Sequence, residues 1–223
     1  MRSLKLARSF LWTAALTVLA AALFLLAPGS KKAEAAPPGL SNADIQTILN
    51  QAVASANATN SGDGLRSNTD PSRGPIVTRT TKMHIAVVDR DGKLREVRSM
   101  PDAWVGSIDI AIAKARTAAF FSSDENALTS RIIGVLSQAH GAGGVGGAGP
   151  LWGIGNSNQI GITGSQEYRN GLITFPGGVP LYKGGSLVGG VGVSGDGVDQ
   201  DETVAFAGAA GFGPGSGVVK LGY

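Results

Sequence analysis

The segment from Ser186 to Ser194 constrains the fold of this chain most strongly, because it combines three glycines with apolar side chains typical of a strand. Successive side chains of a β-strand point to opposite faces. The segment predicts a strand with Leu187, Gly189, Val191 and Val193 on one face and Val188, Gly190, Gly192 and Ser194 on the other. The second face is almost flat, because glycine has no side chain. A helix backbone or a planar ligand could approach it closely, and the sequence leaves both options open.

The segment from Ser107 to Phe121 predicts a helix with two packing stripes. One stripe consists of Ile108, Ile112, Ala115 and Ala119, and the almost opposite one consists of Ile110, Lys114, Thr117 and Phe121. A helix with small or apolar residues on both sides is expected to be covered on both sides. One cover would be the sheet of the same domain. The other could be a second helix, a subunit or a ligand.

The remaining pattern places helices and strands along the rest of the chain. Helices are predicted over 41–56, within 126–137 and from Val198 onward, and strands over 83–89, 94–98 and 172–175. The first helix begins with Ser41-Asn42-Ala43-Asp44, which has the spacing of a capping box. Asp91-Gly92 between two strands is typical of a β-hairpin, and a Pro/Gly-rich turn is predicted over 176–185. This order predicts an α+β fold with a mostly antiparallel sheet.

The N-terminal segment has the organisation of a secretory signal. Basic residues precede an uncharged apolar run from Phe10 to Ala27, and Ala33-Glu34-Ala35 matches a small-residue cleavage site. We therefore expect a signal peptide over 1–35 and an exported protein, periplasmic or extracellular, with no stable membrane anchor after cleavage. An uncleaved anchor is the alternative, because the apolar run is about as long as the shortest bilayer-spanning segments.

The rest of the chain predicts a single domain. A linker is expected over 36–40 and the domain over 41–223, with insertions at about 58–81 and 134–170. Residues after position 35 carry 14 basic and 15 acidic side chains, although the whole chain has a net charge of +3. This balance argues against nucleic acid as a partner, which needs a concentrated basic surface. The absence of cysteine excludes disulfides, thiolate nucleophiles, covalent heme attachment and cysteine-ligated metals.

Three local patterns have ordinary explanations beside functional ones. Gly141 to Gly146 matches G-x-G-x-x-G, but it follows a predicted helix instead of a strand, so it does not indicate dinucleotide binding. His84 lies in a predicted strand, where it is either a packed residue or a heme or metal ligand. The acidic residues after Val198 suit the first turn of a helix, and Asp199 or Asp201 could instead stand at the mouth of a pocket.

Three segments occur in a characteristic order: Ala103–Phe121 with its Lys114-Ala115-Arg116-Thr117-Ala118 sequence, Phe175–Leu181, and Val188–Phe212. Together with the Asp91-Gly92 turn, they resemble the HbpS/GlcG-type heme-binding family, which includes the C-terminal domain of PduO-type proteins. The resemblance implies a profilin-like single domain with a central, mostly antiparallel sheet flanked by helices. It also implies heme as a possible cofactor and assembly into homo-oligomers.

The resemblance also implies a site. In heme-binding members a threonine of the K-A-x-T-A segment is implicated in heme coordination, and it maps onto Thr117, with Lys114 one turn earlier. Physical chemistry offers alternatives, because Thr117 could bond the preceding helical turn. Lys114 could offer its charge to a heme propionate, a small acid or a neighbouring aspartate. The predicted ligand-binding residues are Lys114, Thr117, Phe121, Phe175, Pro176, Gly177, Gly178 and Asp199, with Thr117 and His84 as weak candidates for an iron or metal ligand.

These observations support three hypotheses of function. The first is an exported, non-catalytic binder of heme or another tetrapyrrole, in which the ligand is planar or acidic. The second is an enzyme that acts on a small organic acid or degrades heme in the same pocket, with Lys114 and Asp199 as its ionisable groups. The third is a structural oligomer without a ligand, in which the two-sided helix forms the subunit interface.

Overall fold

The computed structural model describes residues 39–62, 71–75, 79–138, 151, 154 and 171–223. The predicted signal peptide, most of the linker and the glycine-rich loop that follows His140 lie outside the described residues. The described part belongs to a compact unit that spans Pro37–Tyr223. Among the residues that the structure describes, no helix combines the length and the apolar character that crossing a bilayer requires.

Four α-helices occur among the described residues: α1 (Asn42–Ala58), α2 (Ile108–Phe120), α3 (Ser130–Ser137) and α4 (Val198–Gly208). The strands are β1 (His84–Asp89), β2 (Leu94–Ser99), β3 (Asn126–Leu128), β4 (Gly178–Lys183), β5 (Ser186–Ser194) and β6 (Val219–Leu221). The main sheet has the order β2-β1-β5-β4 and is antiparallel throughout, while β3 and β6 form a separate parallel pair. The predicted α+β class with a mostly antiparallel sheet is confirmed.

The helices cover both faces of the main sheet. On one face, α1 and α4 enclose a core to which β1 contributes Ile85 and Val87. On the other face, α2 packs Ala111, Ala115 and other small residues against Ala86 and Val88 of β1. The alternation along β1 thus fills two cores, as the pleat of a strand requires. All residues of α2 from Ala111 to Ala119 are buried, which confirms the prediction that this helix is covered on both sides.

Two local motifs form as predicted. At the start of α1, the Ser41 backbone N–H donates to Asp44 Oδ2 at 2.8 Å, and the Asp44 N–H donates to Ser41 Oγ at 3.2 Å. This capping box begins the helix one residue later than expected. At the β1–β2 turn, Gly92 adopts a positive φ of 77°, a conformation that glycine enters at no steric cost.

The flat face of β5 is occupied by a helix backbone. Side-chain carbons added at Gly190 and Gly192 would collide with the carbonyl oxygens of Ala115 and Ala111, respectively. Helix α2 therefore approaches the sheet more closely than any side chain on these positions would permit. Of the two options that the sequence left open, the structure selects the helix, and no planar ligand can stack on this part of the strand.

The prediction around residues 172–185 was wrong. Residues 172–175 form no strand, and β4 instead lies within the segment that was expected to be a turn. The segment was predicted to be a turn partly because it contains Pro180, and proline lacks the N–H that a residue of a central strand must donate. It is tolerated here because β4 is an edge strand of the sheet. The C-terminal region covers part of this edge, where the Tyr182 N–H donates to the Phe212 carbonyl at 2.7 Å.

The predicted alternation along β5 was also wrong at one point. The pairing of β4 with β5 changes register between Leu181 and Tyr182, so Val188 is an extra residue on β5. This bulge reverses the side-chain alternation that follows from a regular strand. Val188 consequently joins the core under α1 and α4, whereas Leu187 packs with Tyr182 outside that core.

Candidate ligand cleft

A cleft of about 570 Å³ opens beside the N-terminal half of α2. Its volume lies within the range of sites for small organic ligands. The lining residues come from the 3-10 turn before α2, from α2 itself, from the segment before β4 and from the junction of β5 with α4: Trp104, Ser107, Ile110, Lys114, Phe175, Ser194, Gly195, Asp196, Val198 and Asp201.

The walls of the cleft are apolar and partly open to solvent. Trp104 is 63% exposed, Phe175 is 56% exposed and Val198 is 44% exposed, and Ile110 is half-buried beside them. Large apolar side chains seldom cluster at the surface of a soluble protein, and where they do they often form a binding site. A ligand with a flat apolar surface would remove these side chains from water.

A buried ion pair adjoins the apolar walls. Lys114 Nζ lies 2.7 Å from Asp201 Oδ2, and the two side chains are only 1% and 2% exposed. Lys114 also donates to the Val193 carbonyl at 3.1 Å, and the Asp196 N–H donates to Asp201 Oδ1 at 3.2 Å. These contacts tie together α2, the end of β5 and the first turn of α4.

Burial dominates the electrostatics of this pair. Loss of hydration raises the pKa of Asp201 to about 6, although the ammonium group of Lys114 opposes the change. Burial also lowers the pKa of Lys114, against the attraction of Asp201. Both shifts favour the uncharged forms, as expected where charged groups leave water. Burial therefore opposes the charge separation within this ion pair at the edge of the cleft.

The raised pKa of Asp201 predicts a loss of stability with rising pH. In the unfolded chain the pKa of an aspartate is about 3.9, whereas in the folded protein the pKa of Asp201 is raised to about 6. Between these values the folded state binds more protons, so the free energy of unfolding falls as the pH rises. Urea unfolding should show this fall in the wild type, and Asp201→Asn should remove it. A difference between the two proteins that stays constant from pH 4 to pH 6 would contradict the assignment.

Helix α2 brings only part of its predicted stripe to the cleft. Ile110 and Lys114 line it, but Thr117 is fully buried elsewhere. The Thr117 hydroxyl donates to the Ala113 carbonyl at 2.9 Å and accepts from the Ile173 N–H at 3.0 Å. It thus bonds the preceding helical turn, one of the two roles considered from sequence. Phe121 follows the last residue of the helix and does not line the cleft.

The turn before β4 forms one side of the site. Phe175 lines the cleft, whereas the predicted residues Pro176, Gly177 and Gly178 do not. Ser130 holds this turn in place, because its hydroxyl donates to the Phe175 carbonyl at 2.6 Å and accepts from the Gly178 N–H at 2.8 Å. At Gly177, a side-chain carbon would lie 2.7 Å from the Val193 carbonyl oxygen, 3.0 Å from Asp201 Cβ and 3.1 Å from Lys114 Nζ. The backbone of the turn therefore packs closely against the ion pair, and only glycine fits at this position.

The structure puts Asp201, and not Asp199, next to Lys114. The Asp199 side chain is 78% exposed and pairs with the Arg131 guanidinium at 2.6 Å, outside the cleft. A sequence signal for Asp201 was available. It precedes Val204, Ala205 and Gly208 at helical spacing, and all four residues face the core. An aspartate on the buried face of a helix requires a partner, which Lys114 provides.

His84 is a packed residue. Its side chain is buried, with Nδ1 2.8 Å from Ser99 Oγ and Nε2 2.9 Å from the Trp104 carbonyl. Both ring nitrogens are therefore engaged by the protein, and one of them fixes the backbone of a residue that lines the cleft. Within the described ranges, no group of three or more His, Cys, Asp and Glu residues is arranged to hold a metal ion.

Comparison with known proteins identifies the family. The family model described as haem degrading protein HbpS-like matches residues 75–210. The chain belongs to the HbpS-like family. The matched region contains every residue that lines the cleft, and it includes α2, the main sheet and α4.

Two curated relatives from Citrobacter freundii match this HbpS-like chain over 54% of its length. One is an uncharacterized 15.0 kDa protein in the dhaT-dhaS intergenic region, 30% identical over 120 residues that make up 68% of that protein. The other is the corrinoid adenosyltransferase PduO, 31% identical over 121 residues. The match covers only 29% of PduO, so it concerns one part of that protein.

Solved structures share the fold. Klebsiella pneumoniae protein ORFY has a TM-score of 0.54 and 22% identity, with 82% of this chain and 96% of that one covered. A PduOC:heme complex has a TM-score of 0.51 and 24% identity, with 80% and 99% covered. At these identities the likeness shows a common architecture, in agreement with the antiparallel sheet and its flanking helices.

Proposed function

We propose that this HbpS-like protein binds heme or a related tetrapyrrole in the cleft beside α2, without turning it over. The observation that carries the proposal is the apolar cleft of about 570 Å³ with Trp104, Phe175 and Val198 exposed around it. Family membership and the heme complex of a protein with the same fold support it. Apolar walls with a few polar groups are the usual lining of a cofactor site.

The residues of the cleft fit the ring of heme better than its iron. Trp104, Ile110, Phe175 and Val198 would contact the macrocycle and exclude water from it. Among the lining residues that the structure describes there is no His, Met, Tyr or Cys, the usual iron ligands. Lys114 is paired with Asp201 and is not a free cation for a propionate. Bound heme would supply an iron centre capable of redox chemistry.

A hemin titration tests the proposal. Purified protein should give a saturable shift of the Soret band. Replacing Ile110 with arginine puts a charge against the apolar wall, and we expect hemin affinity to fall at least about tenfold, since leaving such a charge partly desolvated costs more than about 1.4 kcal/mol. Val135→Arg is a matched control on the exposed surface of α3, outside the cleft. A Soret band that stays that of free hemin would eliminate heme binding.

Export and self-association are further parts of the proposal. The basic and apolar residues before Ala36 support export, and the exposure of Trp104 and Val105 supports a homo-oligomer. When the full chain is produced in a bacterium, we expect the protein in the periplasm or the medium, with an intact mass that corresponds to a start near Ala36. A full-length product retained in the membrane fraction would indicate the uncleaved anchor instead.

A further inference from the structure

The amine of Lys114 is a nucleophile that heme binding leaves unused. It lines an apolar cleft, and its nitrogen lies 2.7 Å from the carboxylate of Asp201. Lysines removed from water serve as the amines that form Schiff bases with carbonyl compounds. We propose that Lys114 captures small neutral aldehydes reversibly as an imine, with Asp201 as the proton-transfer group. This inference goes beyond heme binding and does not depend on it.

The contacts of Lys114 suit a neutral amine. Nζ has two hydrogen-bond acceptors, Asp201 Oδ2 at 2.7 Å and the Val193 carbonyl at 3.1 Å. A neutral amine has two N–H bonds to donate, so both contacts can be kept while the lone pair remains for an electrophile. Burial lowers the pKa of this amine and increases its neutral fraction. Lys114 lines the cleft, which is the side from which a small electrophile would approach Nζ.

The charges around the cleft favour a neutral ligand. Its described ionisable residues are Lys114, Asp196 and Asp201. The Lys114–Asp201 pair has no net charge whichever of the two groups holds the proton, so the carboxylate of Asp196 remains. A carboxylate ligand would therefore meet net repulsion. The apolar walls would instead contact a short hydrocarbon chain. Because only 1% of the Lys114 side chain is exposed, a bulky carbonyl compound would not reach it.

The chemistry balances without another reactant. As the Nζ lone pair attacks the aldehyde carbon and a C–N bond forms, protonated Asp201 gives its proton to the carbonyl oxygen and then accepts the first N–H proton, which leaves a carbinolamine. Asp201 passes that proton to the hydroxyl group, the C–O bond breaks and water leaves. Asp201 accepts the second N–H proton as the neutral C=N bond of the imine forms, so it ends protonated as it began. Hydrolysis runs through the same steps in reverse, so the capture is reversible and no oxidant or reductant takes part.

Reductive trapping tests the inference. The full-length protein is treated at neutral pH with limiting propanal and cyanoborohydride, and modified lysines are located by peptide mass mapping. An amine becomes about tenfold more neutral for each unit by which its pKa falls. We therefore expect Lys114 to be labelled at least about tenfold faster than the half-buried Lys82 and the exposed Lys183. Labelling confined to exposed lysines would overturn the inference.

Two variants and a second aldehyde test which lysine reacts, whether Asp201 transfers the proton, and whether a neutral aldehyde is preferred. Lys114→Arg keeps a cation beside Asp201 and should lose only the Lys114 label. Asp201→Asn keeps a hydrogen-bond acceptor but cannot exchange the proton, so labelling at Lys114 should slow while labelling at Lys183 is unchanged. Glyoxylate carries a carboxylate and should label Lys114 more slowly than propanal, and the opposite order would overturn the preference for neutral aldehydes. A failed hemin titration would leave all these outcomes unaffected.

Discussion

Replacing Lys114 with methionine is expected to lower the free energy of unfolding by about 3–5 kcal/mol. The change removes the ammonium group and leaves Asp201 without its partner at a position where its side chain is only 2% exposed. A buried carboxylate without a counter-charge is strongly unfavourable, whereas the methionine side chain fills much of the same space. The loss should be measured by urea unfolding at neutral pH, where ionisation of Asp201 is most costly.

A double variant separates the charge from the packing. Lys114→Met combined with Asp201→Leu replaces the pair by apolar side chains of similar size. Such replacements are often neutral or stabilising by about 1–4 kcal/mol. We therefore expect the double variant to recover most or all of the stability that Lys114→Met loses. If the effects of the two single substitutions simply add, the two side chains are not energetically coupled, and loss of the partner charge does not explain the effect of Lys114→Met.

Replacing Gly192 with alanine is expected to destabilise the protein by about 3 kcal/mol or more. The added methyl group would collide with the Ala111 carbonyl and with the Ala115 backbone nitrogen. Backbone atoms cannot rotate away as a side chain can, so α2 would have to move off the sheet. Overpacking in a tight core costs typically about 1–3 kcal/mol and sometimes more, and two collisions with backbone place this case at the upper end. Thermal or urea unfolding measures the loss.

Gly217→Ala is the matched control. The same methyl group at this position would have no heavy atom within 4 Å, and the residue is exposed. The free energy of unfolding should change by no more than about 0.5 kcal/mol. Equal effects at both positions would show that the cost at Gly192 comes from lost glycine flexibility and not from the contact with α2.

The two substitutions also connect stability to the site. Helix α2 carries Ile110 and Lys114 into the cleft, so a shift of the helix at Gly192 would move both residues. Variants of Gly192 that remain folded should therefore bind hemin more weakly than the wild type. The close contact between α2 and β5 thus holds the wall of the cleft in place.

Much of the fold could be predicted because local chemistry specifies it. The Ser41–Asp44 capping box, the Asp91-Gly92 turn and the apolar spacing of α2 each act between residues that are close in sequence. The order of these local elements also predicted the class of the fold, which the structure confirms, and the family resemblance is confirmed by the match over residues 75–210. Part of the cleft lining could also be predicted, because helical spacing already placed Ile110 and Lys114 on one stripe of α2, and both residues line the cleft.

The remaining features depend on contacts between distant segments. Whether Pro180 can lie in a strand depends on that strand being at the edge of the sheet. The face of the sheet to which the Val188 side chain points depends on the bulge that β5 forms opposite β4. The partner of Lys114 comes from α4, 87 positions along the chain. Composition and spacing describe each of these segments separately and do not say which ones meet.

The glycine positions of β5 show this division most clearly. The sequence by itself determined that one face of the strand is flat, because glycine has no side chain wherever it stands. Only the tertiary structure decided what occupies that face. Close packing of α2 fills it with helix backbone, so the space for a ligand lies instead at the end of the strand, between Trp104, Phe175 and the Lys114–Asp201 pair. Packing, which acts between segments far apart in sequence, determines where a surface is free.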